Sequence, residues 1–273
     1  MVRDEKHTKT GVQPVKSQHK NIDKPTILCY ITITKEKDMK KGQQTNKEII
    51  ETNRQTIDFF LHQSAKNIAS LNWLRHEITS VEPMVLAKPQ LKLFAKGKNI
   101  AFFDWTNLKN IGIAYDYILK HKKTPIDRYH IAEIQRLLVK DSDVPSGYRI
   151  AMTKVLGQFA PSCEEIYYKM EQIEYHLHDK TYPVLRRAFD THYDLIMTQP
   201  FNDQNKRIAR LIMNWFLIQN GYRPVIFNKK TDETEYTKAL HARIDGDRRT
   251  YTEYMEKSMI HTQRQIIKLL RSR

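Results

Sequence analysis

The stretch TQPFNDQNKRIARLIMN, Thr198 to Asn214, sets the carboxylate of Asp203 and the amides of Gln199, Gln204 and Asn205 directly ahead of three cations, Lys206, Arg207 and Arg210. The first part reads as a short loop and the second as the start of an amphipathic helix near Asn205. Helix N-termini present free backbone N–H groups and the positive end of the helix dipole, so they attract anions. Arg210 follows Arg207 by three residues and Lys206 by four, which places them on a shared helix face. Cations in a first turn oppose the dipole, which favours acids there, so this placement suits a bound polyphosphate. Asp203 in the loop suits a divalent cation bridging phosphates. The same pattern also suits a solvated basic face between two helices. Gln199 stands where a general base would be most useful, and an amide has no basic lone pair near neutral pH.

Helices must position that loop. Apolar periodicity predicts helices over Asn107–Lys123, Thr124–Lys140, Pro161–Asp179, Tyr182–Thr198, Asn205–Gly221, Thr234–Asp247 and Thr250–Arg273. Thr124 is the expected cap of the second, with Pro125 at its first position. Ser162 and Glu165 form an expected capping box for the third. Gly221 is the expected C′ residue of the helix that follows the loop. GYRIAMTKVLGQF, Gly147 to Phe159, alternates weakly between glycines and predicts a short hairpin. Upstream, Pro25–Thr34 is β-branched and aromatic and predicts a strand, and Thr45–Ile78 has helical spacing, with Pro83 and Pro89 punctuating a connector. Residues 1–24 are polar without periodicity and read as a flexible tail. The expected fold is mainly α: a helical bundle with a small β-hairpin flap and a helical N-terminal extension that includes a short strand. The expected divisions are a tail at 1–24, an extension at 25–103, a domain at 104–260 and a C-terminal helix end at 261–273.

Composition narrows the classes. The chain has 273 residues with 40% hydrophobic and 10% aromatic content, enough for a packed core. Its formal charge is +15, from 46 basic and 31 acidic side chains. That excess draws polyanions, but the basic residues are dispersed and no nucleic-acid motif accompanies them, so nucleic acid is disfavoured as a partner. Cys29 and Cys163 are far apart, which argues for free thiols and a cytoplasmic setting. No apolar leader and no bilayer-length apolar run is visible, so no membrane association is expected.

QPFNDQNKRIAR resembles the signature of the Fic (Fido) family, H-P-F-x-D/E-G-N-G-R-x-x-R. Pro200, Phe201, Asp203, Asn205, Arg207 and Arg210 match; Gln199, Gln204 and Lys206 depart from the His and the two glycines. The Asn-Lys-Arg run is similar to the related Doc toxins. HYDLIMTQPF with His192, GYRIAMTKVLG, PSCEEIYYKMEQI, NGYRPVIF and YTKALHARIDGD resemble other family segments in the same order, over roughly residues 104 to 260.

The resemblance implies a Fic-type helical bundle and AMP transfer from ATP to a hydroxyl of a target protein, with Mg²⁺. It implies that Gln199 occupies the place of the catalytic His and that Asp203 coordinates the metal. Asn205, Gln204, Lys206, Arg207 and Arg210 would hold the nucleotide. The flap, with Arg149, Ile150, Ala151, Met152, Thr153, Lys154 and Val155, would bind the target as an added strand. Whether the protein forms a homodimer or meets a regulatory partner stays open. The departures imply impaired or altered transfer. Gln204 could block the anion nest and Lys206 could re-seat the phosphates. His192 is expected to be a packing or hydrogen-bonding residue and no substitute base. The alternatives are an active transferase with other phosphoryl or nucleotidyl chemistry, and a non-enzymatic interaction module.

Overall fold

The computed structural model describes residues 44–63, 102–227 and 232–271. The expected tail, the strand at Pro25–Thr34, the second half of the Thr45–Ile78 helix and the connector with Pro83 and Pro89 lie outside them. Contacts divide the chain into Met1–Gln44 and Thr45–Arg273, and everything below concerns the second unit.

Eight helices and one hairpin make up the described residues. In chain order they are α1 (Asn46–Gln63), α2 (Phe102–Lys120), α3 (Arg128–Leu138), β1 (Lys154–Val155), β2 (Gln158–Phe159), α4 (Glu165–His178), α5 (Val184–Thr198), α6 (Asn205–Gln219), α7 (Asp232–Ile244) and α8 (Arg248–Arg271). The fold is therefore mainly α with a two-stranded hairpin, as the periodicity indicated.

α6 is the central helix. Ile208, Ala209, Leu211, Ile212, Met213, Trp215, Phe216 and Leu217 are all buried, so it is apolar around most of its circumference, as a helix surrounded by others must be. It packs most extensively on α5, with α2 and α3 against it as well. Gly221 ends it at φ +77°, where the Gly221 N–H donates to Ile218 O at 3.1 Å and the Tyr222 N–H to Leu217 O at 2.9 Å. That is the Schellman arrangement expected of a C′ glycine.

α1 packs on α8, so the described part of the N-terminal extension is continuous with the bundle. Thr45 and Glu48 form a reciprocal cap on α1: the Glu48 N–H donates to Thr45 Oγ1 at 3.3 Å and the Thr45 N–H to Glu48 Oε2 at 2.9 Å. α8 runs unbroken past residue 260, to Arg271.

Two expectations about helix starts change. α3 is capped by Asp127, whose Oδ1 accepts the His130 N–H at 2.8 Å, and Thr124 lies outside the helix. Asp is the stronger cap, and it leaves Thr124 and Pro125 in the connection before the helix. At α4, Glu165 reaches back to the Ser162 N–H at 2.8 Å, but α4 starts at Glu165, behind Glu164 at φ −67°, ψ −33°, and not directly after Ser162.

Candidate active site

The loop Gln199–Gln204 joins α5 to α6, and left-handed residues stand at both its ends. Gln199 has φ 43°, ψ 57° and Gln204 has φ 70°, ψ 4°. This region costs a non-glycine residue on the order of 1–3 kcal/mol, so the surrounding contacts must hold it.

Asn205 supplies one such contact. Its side chain accepts from the Phe201 N–H at 3.0 Å and donates to the Phe201 carbonyl at 2.8 Å. Phe201 itself is buried, 5.4 Å from the Tyr148 ring, and the two residues form an isolated antiparallel bridge. The Asn205 side chain is thereby committed to the loop backbone, and the sequence reading did not see this role.

Arg149 supplies the second contact. It was expected among the target-facing flap residues, but its side chain is buried. Its guanidinium donates to Gln199 O at 2.7 Å, Ala151 O at 2.9 Å, Pro161 O at 2.5 Å and Thr198 O at 3.4 Å. Two of these carbonyls end α5, where the dipole favours a cation. The other two flank the hairpin. Arg149 therefore ties the base of the flap to the start of the loop. Only a planar fork of five donors can serve so many acceptors. A charged residue beside an exposed flap gave no sign of this in the sequence.

The rest of the flap is open to solvent. Ile150, Met152 and Phe159 are exposed, at 93%, 58% and 69%, while Val155 is buried against the core. Ala151 and Lys154 are exposed and Thr153 is half-buried. β1 and β2 pair as Lys154↔Phe159 and Val155↔Gln158, with Leu156 at φ 50° and Gly157 at φ 81° in the turn. Two positive φ values match a type I′ hairpin turn. The hairpin is shorter than the Gly147–Phe159 stretch expected for it.

The chemistry-bearing side chains lie as follows. Gln199 turns back on its own helix, its Nε2 donating to Ile196 O at 2.8 Å. Asp203 is exposed. Its Oδ1 accepts the Gln204 N–H at 2.6 Å and its Oδ2 accepts from Gln204 Nε2 at 2.9 Å. The other end of the same amide, Gln204 Oε1, accepts from Arg207 Nη1. Arg207 is buried, Arg210 is half-buried and Lys206 is exposed. The structure thus brings Asp203, Gln204 and Arg207 together and leaves Lys206 exposed.

His192 is fully buried on α5. Its Nδ1 meets Tyr251 Oη at 2.8 Å and its Nε2 meets Tyr236 Oη at 3.1 Å. Burial, with the nearby positive charges of Arg210 and Arg243, lowers its pKa from 6.5 to about 3. Such a neutral, doubly bonded ring is a structural residue, as expected. Two residues earlier, buried Asp190 meets Arg243 at 2.7 Å, His176 at 3.4 Å, Arg186 at 3.6 Å, and also Arg248. This cluster fixes α5 against α4, α7 and α8. His176 and His178 lie in the last turn of α4.

Residues 125–217 match the family model described as Fic/DOC. The chain carries a Fic/DOC domain. Over 145 residues, half of the chain, it is 34% identical to a "Protein adenylyltransferase fic-1" of Caenorhabditis elegans and covers 28% of that protein. It is 29% identical over 175 residues to a "Protein adenylyltransferase Fic" of Aedes aegypti, covering 61% of this chain and 34% of the relative. The chain thus spans about a third or less of the length of these curated relatives. Among solved structures, a Fic-domain-containing signalling protein of Bacteroides thetaiotaomicron superposes with a TM-score of 0.72 at 20% identity, covering 82% of this chain and 98% of that one. Fic-1 (residues 134–508) of C. elegans gives 0.68 at 20% identity, over 90% and 77%. These two structures share the fold.

In the Fic domain, Asp203 offers one accessible carboxylate, and no group of three or more His, Cys, Asp or Glu side chains clusters among the described residues. One carboxylate suits Mg²⁺, which keeps several waters and completes its shell with substrate phosphates. The donor set therefore fits a metal carried in with a polyphosphate. No described helix is long and apolar enough to cross a membrane.

Proposed function

We propose that the domain binds a nucleoside triphosphate with Mg²⁺ at the loop Gln199–Arg207, and that its transfer of AMP to a protein hydroxyl is impaired. The names of its relatives support a nucleotidyl-transfer ancestry, and the matched residues Asp203, Asn205, Arg207 and Arg210 support retained binding. The single observation that carries the impairment is Gln199. It stands in the place of the family's His, it has no proton-accepting nitrogen, and its amide is engaged with Ile196 O.

Each residue then has a task. Asp203 holds the hard cation, which when bound neutralises phosphate charge. Arg207 and Arg210 face the phosphates, and the backbone N–H groups at the start of α6 add to them. Asn205 keeps the loop open in shape by fixing Phe201. Arg149 sets the distance between loop and flap. The exposed edge with Ile150, Met152 and Phe159 receives the target segment as an added strand. What is missing is the step that takes the proton from the incoming hydroxyl.

Calorimetry with ATP in Mg²⁺ tests the reading. Wild type is expected to bind, and Asp203→Asn, at an exposed position with little folding cost, is expected to bind at least tenfold more weakly. Absence of heat with ATP, GTP, CTP and UTP alike would refute nucleotide binding. A second reading, an active transferase with different phosphoryl chemistry, draws support from Lys206, exposed at the first turn of α6. It requires turnover of some nucleotide by the wild type.

A further inference from the structure

We propose that Gln204 is a specificity-determining residue that makes the site accept a divalent cation and a polyphosphate together and disfavour either alone. The proposal rests on the nucleotide-binding reading above and adds a mechanism of selection to it.

The observation is the two-ended contact of one carboxamide. The Gln204 NH₂ group lies 2.9 Å from Asp203 Oδ2, and its carbonyl oxygen accepts from Arg207 Nη1. The electropositive end thus stands against the carboxylate, as a bound cation would. The electronegative end stands against the guanidinium, as a phosphate oxygen would. The neutral amide is a stand-in for a metal–phosphate pair. Its backbone conformation, φ 70° and ψ 4°, directs the side chain across the gap, and its N–H pins the other Asp203 oxygen at 2.6 Å. A glycine here would leave Asp203 and Arg207 facing the cradle with no such bridge.

The energetic consequence follows from linkage. A cation alone must open the bridge to reach Asp203, and Arg207 then loses the amide oxygen with nothing in return. A phosphate alone meets the mirror-image loss at Asp203. A metal-chelated polyphosphate opens the bridge once and replaces both contacts. The opening cost is therefore shared, which couples the two ligands positively and reciprocally. The ligand class is a chelated di- or triphosphate. Unchelated phosphates and free divalent cations are selected against.

Calorimetric titration of ATP into wild type, Gln204→Gly and Gln204→Met, each in excess Mg²⁺ and in EDTA, tests this. Glycine is at ease at positive φ, so that variant keeps the loop; methionine keeps the length and removes both hydrogen bonds. The ratio of Kd in EDTA to Kd in Mg²⁺ is expected to be at least tenfold larger for wild type than for either variant. Gln204→Gly is expected to bind metal-free ATP at least tenfold more tightly than wild type. Equal ratios in all three proteins overturn the role of Gln204 and leave nucleotide binding intact. A wild-type ratio retained by Gln204→Met shows that bulk, not the bridge, sets the coupling, and also overturns it. If no protein binds ATP in either buffer, the nucleotide reading falls and this proposal with it.

Discussion

Asn205 closes the loop ahead of it on a single residue, accepting from the Phe201 N–H at 3.0 Å and donating to the Phe201 carbonyl at 2.8 Å. Both partners are buried. Asn205→Ala strands two buried backbone groups and is expected to cost about 2–4 kcal/mol. Thermal denaturation checks this, with a fall of at least about 4 °C expected at roughly 2–4 °C per kcal/mol for a domain of this size. An unchanged Tm would mean that the loop is held by its neighbours.

Arg149 joins flap and loop through carbonyls on both sides. Arg149→Lys keeps the charge and loses the fork, and roughly 3 kcal/mol of stability should go with it. The diagnostic readout is local. Amide exchange of Ala160, whose N–H donates to Thr153 O at 3.1 Å across the hairpin, is expected to accelerate at least tenfold. Uniform acceleration throughout the domain would indicate a global effect instead.

His192 makes stability depend on acid. Its folded pKa, about 3, lies below the ordinary 6.5 because burial disfavours the charged ring. The unfolded chain therefore binds the extra proton first. The contribution of the neutral ring is complete above pH 6.5 and is lost as pH falls toward 3. In urea titrations, the stability gap between wild type and His192→Gln is expected to narrow by about 2 kcal/mol from pH 7 to pH 5. A gap independent of pH would contradict a neutral buried His192.

The helices were legible because their apolar spacing is local: Ile166, Met170, Ile173 and Leu177 mark α4, and Gly221 marks the end of α6. The motif was legible because its residues are contiguous. What escaped were long-range partnerships of polar groups. Asp190 finds its arginines on α7 and α8, and His192 finds its tyrosines there too, at separations no periodicity records. Arg149 was expected to face the target with the rest of the flap, yet four backbone carbonyls take up its guanidinium. The left-handed Gln199 and Gln204 were also invisible, since glutamine carries no preference for that conformation. The alternative cap at Thr124 lost to Asp127 three residues on, a competition between two local signals.

The central claim is that this Fic domain keeps its nucleotide site and lacks its base. Transfer of label from [α-³²P]ATP to protein, in cell lysate with Mg²⁺, compares wild type with Gln199→His directly. Restoring a general base is expected to raise labelling by ~10²–10⁴-fold over a near-background wild type. Robust labelling by the wild type, no greater in Gln199→His and abolished by Asp203→Asn, would contradict the account.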